Sequence, residues 1–394
     1  MPQNLHFPDN FIWGTSTAAA QIEQASDHIW NGVKAIDGTI LKETIAHDKF
    51  RMEDAEKIAE FGSMYRCGVD WARLQSKAYA DFDPVVIKEY QDFFQHLMDK
   101  GQKLLFVLHH FCHPNWFEQA GGFTKEKNIP VFMNYVEQCI KHFGKYTANW
   151  NTFNEPNVFV MNAYILGNFP PFRKNYFLAN KVLKVLGKAH EQAYALLKKT
   201  QEDKAVGISY NTAIFRGLSP LGKIAARFTH WWFIEKAASY FETCDYWGLS
   251  YYALVLFKPG PITETDTPGK LEEMGYVHDK MWAYHPEGLG EMIQHFHNKY
   301  KKPILITENG ICTADPLARI ESIKDYLKIC HNVISNGVDL IGYIHWSTFD
   351  NFEWHLGNSY QFGLISVDMN TMQRKMTEAG RFYSKICKEN TVEV

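Results

Sequence analysis

The chain has 394 residues, of which 46% are hydrophobic and 22% charged, and its formal net charge is −3. This composition is ordinary for a soluble globular protein with a large core. No basic block stands out, so we expect neither nucleic acid nor an anionic membrane surface as a partner. The seven cysteines are scattered without a C-x-x-C pair, which predicts free thiols in a reducing compartment. The N-terminus has no signal-peptide pattern and no apolar run approaches the ~20 residues of a membrane span, so we expect a cytoplasmic protein.

Short apolar segments alternate with longer helical patterns along the whole chain. The segments predicted to be strands are 11–14, 64–69, 104–108, 150–153, 205–210, 246–249, 304–307 and 340–345. The clearest helical patterns cover 52–61, 128–143, 177–199 and 372–388. Strands that alternate with helices favour parallel β/α units, and eight such units predict a closed (β/α)8 TIM barrel. We expect one catalytic domain over residues 1–394.

Two glutamates stand where predicted strands end. The strand 150–153 is followed closely by Glu155 and then Pro156, which cannot continue a strand ladder because it has no N–H. The strand 304–307 runs directly into Glu308. Catalytic groups of such barrels lie at the C-terminal ends of the strands. Two strand-end carboxylates indicate two-carboxylate chemistry, for which glycoside hydrolysis is the clearest candidate.

Four motifs in chain order resemble glycoside hydrolase family 1, the β-glucosidase-type retaining β-glycosidases. They are FIWGTSTAAAQIE at 11–23, TFNEP at 152–156, ITENG at 306–310 and HWSTFDNFEW at 345–354. The resemblance extends over nearly the whole chain. It implies that Glu308 is the nucleophile and Glu155 the general acid/base, with their carboxyl groups about 5–5.5 Å apart.

The resemblance also implies supporting roles for other residues. Arg66 and Tyr252 match residues that hold the nucleophile. A cation and a hydroxyl beside Glu308 would keep it ionised and leave the proton on Glu155. The positions expected to bind the sugar are Gln21, His110, Asn154, Glu155, Trp346, Glu353 and Trp354. No metal and no other cofactor is implied, because the histidines lack ligand spacing and the chemistry requires no metal.

The chain departs from the family pattern in ways that indicate a divergent member with shortened loops. The segment after Glu23 and the segment between Glu308 and the strand 340–345 are both short, which predicts an open aglycone side. Residues that differ from the usual family choice are Ser250, Cys112 and His113. These changes bear on substrate preference more than on mechanism.

The expected function is hydrolysis of unphosphorylated β-D-glucosides by a retaining, exo-acting enzyme, with β-D-galactosides or β-D-fucosides close behind. The expected partner is a small β-glycoside or oligosaccharide. The sequence leaves open whether the protein forms a homo-oligomer. A 6-phospho-β-glycosidase is the nearest alternative. It is disfavoured because Glu353 would repel a phosphate and no Lys lies between Trp346 and Val367. A myrosinase-like enzyme is disfavoured by the presence of Glu155.

Two further alternatives differ in what happens at the site. A transglycosidase on the same fold would pass the covalent intermediate to an alcohol instead of water, and the sequence leaves this open. A catalytically silent carbohydrate-binding barrel would need no catalytic groups. The joint presence of Glu155, Glu308, Asn154 and Arg66 argues against it.

Overall fold

A closed barrel of parallel strands forms the centre of the molecule. The computed structural model describes residues 3–42, 44–262 and 269–394. Eight strands follow one another around the barrel in chain order, and the last pairs with the first. They are β2 Ile12–Ser16, β3 Met64–Cys67, β4 Lys103–His109, β5 Thr147–Asn154, β6 Val206–Gly217, β7 Tyr246–Phe257, β8 Ile304–Asn309 and β9 Leu340–Trp346. The predicted (β/α)8 barrel is therefore confirmed.

Helices surround the barrel. They are α1 Ala19–Ile22, α2 His47–Ile58, α3 Trp71–Leu74, α4 Pro84–Asp99, α5 Asn115–Gln119, α6 Ile129–Phe143, α7 Pro156–Val160, α8 Tyr176–Thr200, α9 Pro220–His230, α10 Gly269–Glu273, α11 Glu287–Tyr300, α12 Pro316–Ser335 and α13 Glu378–Glu389. The buried residues of α8 recur three and four positions apart, as in Ala179, Val182 and Leu186. This spacing gives one apolar stripe toward the core. Within the described ranges, no helix has the length and apolarity of a membrane span.

The two longest barrel strands extend further than their apolar runs indicate. The predicted strands ended at Tyr210 and Leu249, whereas β6 and β7 each have 12 residues and stay paired along their whole length. Tyr252 therefore lies within β7, not after it. The extra length raises one wall of the barrel above the rim.

The C-terminal helix begins later than predicted. The pattern over 372–388 indicated a helix throughout, but Arg374–Met376 is strand β11 and pairs antiparallel with β10, Ile365–Val367. The helix starts at Glu378 because the side chain of Thr377 caps its first turn. A second small sheet joins the chain ends by pairing β1, Asn4–His6, with β12, Thr391–Glu393.

Apolar side chains fill the barrel below the rim. They form a buried layer of Met64, Leu105, Tyr246, Leu305 and Ile344, contributed by five strands. Side chains two residues apart on a strand point to the same side. Arg66, two residues after Met64, therefore enters the barrel one layer above this floor, where it is fully buried.

Candidate active site

A cavity of about 650 Å³ opens at the C-terminal ends of the barrel strands. Seven predicted site residues line it, namely Glu155, Glu308, Tyr252, His110, Trp346, Glu353 and Trp354. The other three lie behind these and hydrogen-bond to them. They are Gln21, Asn154 and Arg66. The fold thus brings together all the residues that the resemblance selected.

Arg66 connects the strands beneath the cavity. Its Nη1 atom donates to Oε1 of Glu308 at 2.7 Å and to Oγ of Ser16 at 2.8 Å. Its Nη2 atom donates to Oδ1 of Asn154 and, at 2.9 Å, to Oγ of Ser209. These partners come from four different strands, so both terminal nitrogens of the guanidinium are fixed. A buried arginine held in this way provides a fixed positive charge.

Glu308 is surrounded by groups that favour its charged form. Burial raises its pKa, while the charge and N–H of Arg66 and the hydroxyl of Tyr252 oppose that rise. The Tyr252 hydroxyl donates to Oε2 at 2.8 Å. Each carboxyl oxygen of Glu308 therefore accepts one hydrogen bond from a protein donor.

Glu155 has the opposite surroundings. Burial, together with the negative charge of Glu308, raises its pKa to about 8. The side chains of Asn211 and Ser250 oppose this only in part. Asn211 donates its amide N–H to Oε1 of Glu155 at 3.0 Å. Of the two carboxyl groups, Glu155 is thus the one that retains a proton near neutral pH.

The backbone at Glu155 is in a strained conformation. Its φ of 41° and ψ of 59° lie in the left-handed region, which non-glycine residues rarely adopt. Pro156 begins helix α7 directly afterwards, and the Glu155 N–H donates to the carbonyl of Ser209 at 2.7 Å. Phe111 and Trp354 at the same cavity also have positive φ angles. Non-glycine residues of this kind cluster at functional sites.

His110 and Asn154 form a neutral pair next to Glu308. Burial and the positive charge of Arg66 keep the pKa of His110 well below its usual range. Its Nε2 atom lies 2.9 Å from Nδ2 of Asn154, so the amide donates to an unprotonated ring nitrogen. The buried Nδ1 atom has no protein partner in the structure. In that tautomer the proton is on Nδ1, while Nε2 lies 3.9 Å from Oε1 of Glu308.

Gln21 and Glu353 meet at another side of the cavity. The Gln21 amide donates to the carbonyl of Phe352 at 2.9 Å and to Oδ1 of Asn351 at 3.1 Å, and it lies 3.4 Å from Oε2 of Glu353. Its Oε1 atom is buried without a partner. Burial, then the charges of Glu308 and Glu155, raise the pKa of Glu353 to about 8. The cluster thus contains a buried acceptor without a partner, and a carboxyl group at the cavity that is uncharged near neutral pH.

Two indole rings flank His110. The ring centroids of Trp346 and Trp354 each lie 5.8 Å from the His110 ring. Trp354 is fixed by Trp30 and Phe111, at centroid distances of 5.0 and 5.2 Å. Rigid aromatic faces of this kind suit the C–H faces of a sugar ring.

Sequence reasoning missed three polar residues that complete the site. Asn211 contacts Glu155, while Ser16 and Ser209 hold Arg66. Ser209 and Asn211 stand on β6, which carries no motif, whereas Ser16 lies within the motif at 11–23 but was not singled out. Asn211 does break the apolar run of β6, which is the one signal that could have marked it.

The departures from the family pattern lie close to the site. Ser250 is buried and pairs in register with Glu308 across β7 and β8. His113 is buried between His109 and Glu118, at 3.2 and 3.0 Å. Cys112 is partly buried. In the short segment after Glu23, Ile36 still lines the cavity.

Apolar side chains line the cavity away from the carboxyl groups. We call this part the apolar wall, which consists of Ile165, Leu166, Phe215, Phe228, Trp232 and Val255. Phe215 stands four residues farther along β6 than Asn211, so the wall rises above the carboxyl layer. No Lys or Arg of the described chain lines the cavity. Nowhere in residues 3–42, 44–262 and 269–394 does a group of three or more His, Cys, Asp or Glu side chains lie where it could hold a metal ion.

A (β/α)8 barrel with two buried carboxyl groups of opposite surroundings at its rim defines the class of two-carboxylate O-glycoside hydrolases. The chain belongs to glycosyl hydrolase family 1, whose sequence model matches residues 3–234 and 229–392. β-Glucosidase A of Thermotoga maritima is 27% identical over 444 residues, covering 98% of this chain and 99% of that protein. Since this chain has only 394 residues, that relative contains segments that are missing here.

Two solved structures superpose on this chain over almost their full length. A β-glycosidase from Pyrococcus horikoshii superposes with a TM-score of 0.88 at 28% identity, covering 100% of this chain and 97% of that one. The Thermotoga maritima β-glucosidase in complex with deoxynojirimycin gives a TM-score of 0.89 at 26% identity, covering 99% and 100%. A galactolipid galactosyltransferase of Arabidopsis thaliana is 26% identical over 84% of this chain and 56% of its own length. The chain is therefore an O-glycoside hydrolase of the β-glucosidase and β-glycosidase group.

Proposed function

We propose that the protein is a retaining, exo-acting β-glycosidase of unphosphorylated β-D-glucosides, with Glu308 as nucleophile and Glu155 as general acid/base. The observation that carries this assignment is that the two carboxyl groups have different hydrogen-bond donors. Glu308 accepts from Arg66 and Tyr252, whereas Glu155 accepts only from neutral side chains and has its pKa raised to about 8.

In the first step, the Glu308 carboxylate attacks the anomeric carbon and forms a covalent glycosyl ester. Glu155 gives its proton to the glycosidic oxygen, and the aglycone leaves as an alcohol. Once Glu308 is esterified, its negative charge is gone, so the main charge that raised the pKa of Glu155 is removed. Glu155 then becomes a base for the second step.

In the second step, Glu155 takes a proton from water as the water oxygen attacks the anomeric carbon. The ester bond to Glu308 breaks, its carboxylate returns to the two donors, and the sugar leaves with its original anomeric configuration. Atoms and charge balance over both steps. Arg66 stabilises the leaving carboxylate without moving a proton.

We assign the sugar contacts to the remaining cavity residues. Asn154 binds the 2-hydroxyl, where a hydrogen bond strengthens in the transition state. Gln21 and Glu353 bind the hydroxyls far from the scissile bond, and Trp346 forms the stacking floor. Trp354 and His110 complete the ring of contacts. The unpaired Oε1 of Gln21 supports this assignment.

The absence of cations from the described cavity lining supports an unphosphorylated substrate. A phosphate on the 6-hydroxyl would face Glu353 with no Lys or Arg to bind it. β-D-Galactosides and β-D-fucosides are proposed as weaker substrates, because Glu353 does not by itself distinguish epimers at C4.

Transfer of the sugar to an alcohol is a second candidate. The apolar wall favours it, since it would hold an apolar acceptor alcohol better than water during the second step. The relative named as a galactolipid galactosyltransferase also favours it. We further propose a reducing, cytoplasmic location, supported by seven free cysteines. A homo-oligomer remains a proposal.

The test uses p-nitrophenyl β-D-glycosides with wild type, Glu308→Gln and Glu155→Gln. We expect loss of activity by roughly four orders of magnitude or more in Glu308→Gln. NMR of the first product should give the β-anomer. Full activity of Glu308→Gln, or an α-anomer as first product, would contradict the mechanism. Activity on 6-phosphorylated glycosides alone would contradict the specificity.

A further inference from the structure

Helix α9, Pro220–His230, turns its large apolar side chains toward solvent. Leu221, Ile224 and Phe228 are 67%, 65% and 53% exposed, and Trp231 in the next turn is 47% exposed. Their spacing of three and four residues places them on one face of the helix. We call these four residues the α9 face.

The same helix packs on the protein through small residues. Its buried positions are Gly222 and Ala226. A Cβ atom at Gly222 would lie 2.3 Å from the carbonyl oxygen of Phe257, so the helix sits directly on strand β7. Surface helices usually bury their large apolar residues and expose polar ones. Helix α9 instead exposes its large apolar residues, which marks its outer face as a contact surface.

The exposed apolar surface continues onto the start of helix α8. The ring centroids of Tyr176 and Phe228 are 6.3 Å apart, and Tyr176 lies 6.1 Å from Phe177. Phe177 is 85% exposed. The surface is thus a contiguous group of aromatic and aliphatic side chains, not a set of scattered residues.

This surface is continuous with the catalytic cavity. Phe228, Tyr176 and Leu166 line the cavity and are also exposed. Trp232, the neighbour of Trp231, is buried in the apolar wall. An apolar path therefore runs from the carboxyl layer along the wall to the α9 face.

The two segments that carry this surface are locally cationic. Residues 156–190 and 205–234 contain no Asp or Glu, although the whole chain has a net charge of −3. Their cations are all exposed, and they are Arg173, Lys174, Lys181, Lys184, Lys188, Arg216, Lys223 and Arg227. Lys223 and Arg227 belong to helix α9 itself. Basic residues beside exposed Trp, Phe and Leu are typical of helices that lie in a lipid interface.

We propose that the substrate is a β-glycoside of a long-chain lipid in an anionic lipid surface. The α9 face and the start of α8 rest on that surface, and the lipid chain lies along the apolar wall with its sugar between the carboxyl groups. This inference rests on the proposed function and names its aglycone. It departs from the expectation drawn from the whole-chain charge, because the two segments that carry the surface contain cations and no Asp or Glu.

A second copy of the chain is a poorer occupant of this surface. A symmetric dimer would bring two cationic faces together, which is electrostatically unfavourable. A small aglycone would fill part of the apolar wall but would leave the α9 face without a function. A lipid surface covers the apolar residues and binds the cations at once.

The first experiment measures co-sedimentation of the full chain with vesicles of phosphatidylcholine, with and without phosphatidylglycerol. We expect binding that increases with phosphatidylglycerol. The double variant Leu221→Gln/Ile224→Gln, which leaves the cavity lining intact, should bind roughly tenfold more weakly. The matched control is Val85→Gln/Met98→Gln on helix α4, whose side chains are also exposed apolar residues. This control should bind like wild type.

The second experiment compares hydrolysis of dodecyl β-D-glucoside in those vesicles with hydrolysis of p-nitrophenyl β-D-glucoside in solution. The Leu221→Gln/Ile224→Gln variant should lose the first activity about tenfold and retain the second. In solution, kcat/KM should rise along methyl, butyl and octyl β-D-glucoside, by up to about fourfold per fully buried CH2 group.

Three results would overturn the proposal. They are a failure of the wild type to bind the anionic vesicles, a kcat/KM that does not change along the alkyl series, and an equal loss of vesicle binding in the α4 control. A dimer that the double variant converts to a monomer would show that a second copy covers the face. In each case, hydrolysis of p-nitrophenyl β-D-glucoside that depends on Glu308 would leave the proposed function standing. Loss of that hydrolysis would count against the function itself.

Discussion

Nη1 of Arg66 lies 2.7 Å from Oε1 of Glu308, and both side chains are buried inside the barrel rim. Glu155, at the same cavity, receives an amide N–H of Asn211 in place of a cation. Removing one partner of a buried ion pair leaves the other charge uncompensated. The difference between the two glutamates therefore resides in their neighbours.

Replacing Arg66 should impair catalysis by disturbing Glu308. In Arg66→Gln the carboxyl group loses the positive charge that opposes its raised pKa, so the acidic limb of kcat/KM should move to higher pH. We also expect a loss of kcat on the order of a hundredfold or more. The control is Arg51→Gln, which removes an arginine from an ion pair with Glu23 outside the catalytic pair. An unchanged acidic limb in Arg66→Gln would contradict the role of Arg66.

The basic limb of the pH profile should report Glu155. Its pKa is raised to about 8, so the proton needed for the first step is lost as pH rises through that value. The hydrogen bond from Asn211 favours the charged form, so Asn211→Leu should move the basic limb to higher pH. Asn168→Leu is the control, since Asn168 lines the cavity but bonds to Asn162. A basic limb that stays in place in Asn211→Leu would contradict this assignment.

Glu353 should make stability depend on pH. Its pKa is about 8 in the folded protein against about 4.5 when unfolded, so the folded state binds the proton more tightly. The stabilisation of the folded state by this proton is complete below pH 4.5 and is lost as the pH rises to 8. Glu353→Gln should therefore match wild type near pH 4.5 and exceed its free energy of unfolding near pH 8.5, by on the order of 4 kcal/mol.

Chemical denaturation at the two pH values measures this difference. Glu60→Gln, a change at an exposed glutamate, should give the same stability difference from wild type at both. A Glu353→Gln variant whose advantage does not grow with pH would show that Glu353 is not protonated in the folded protein.

Gln21 should affect substrate binding more than folding. Gln21→Leu removes the unpaired Oε1 acceptor and the amide that holds the carbonyl of Phe352. We expect kcat/KM to fall roughly tenfold to a hundredfold, since one or two hydrogen bonds to the sugar are lost. Gln138→Leu, at a buried amide on helix α6, should lower the free energy of unfolding and leave KM unchanged. If Gln21→Leu and Gln138→Leu changed KM equally, Gln21 would act only through packing.

The fold was largely predictable because each barrel strand carries a local signal. Apolar runs located all eight strands, and the polar residues that follow them located the rim. The errors arose where tertiary contacts decide the structure. The segment Arg374–Met376 has a helical pattern but pairs with Ile365–Val367, and β6 and β7 continue past their apolar runs because they pair with each other.

The site was predictable where a motif existed and not elsewhere. Glu155 and Glu308 stand in motifs, whereas Asn211 is a lone amide that gains meaning only when β6 lies beside Glu155. The α9 face was hidden for a related reason. Apolar periodicity indicates a face that makes contact, but it does not say whether that contact is the core or something outside the protein.

The identity of the nucleophile is the most direct test of the proposed mechanism. The enzyme is incubated with 2-deoxy-2-fluoro-β-D-glucosyl fluoride, whose 2-fluorine slows the second step, and the labelled peptide is sequenced by mass spectrometry. We predict one fluoroglucosyl group per chain, attached as an ester to Glu308, and no labelling in Glu308→Gln. A label on Glu155, or turnover of the reagent with no covalent adduct, would contradict this mechanism.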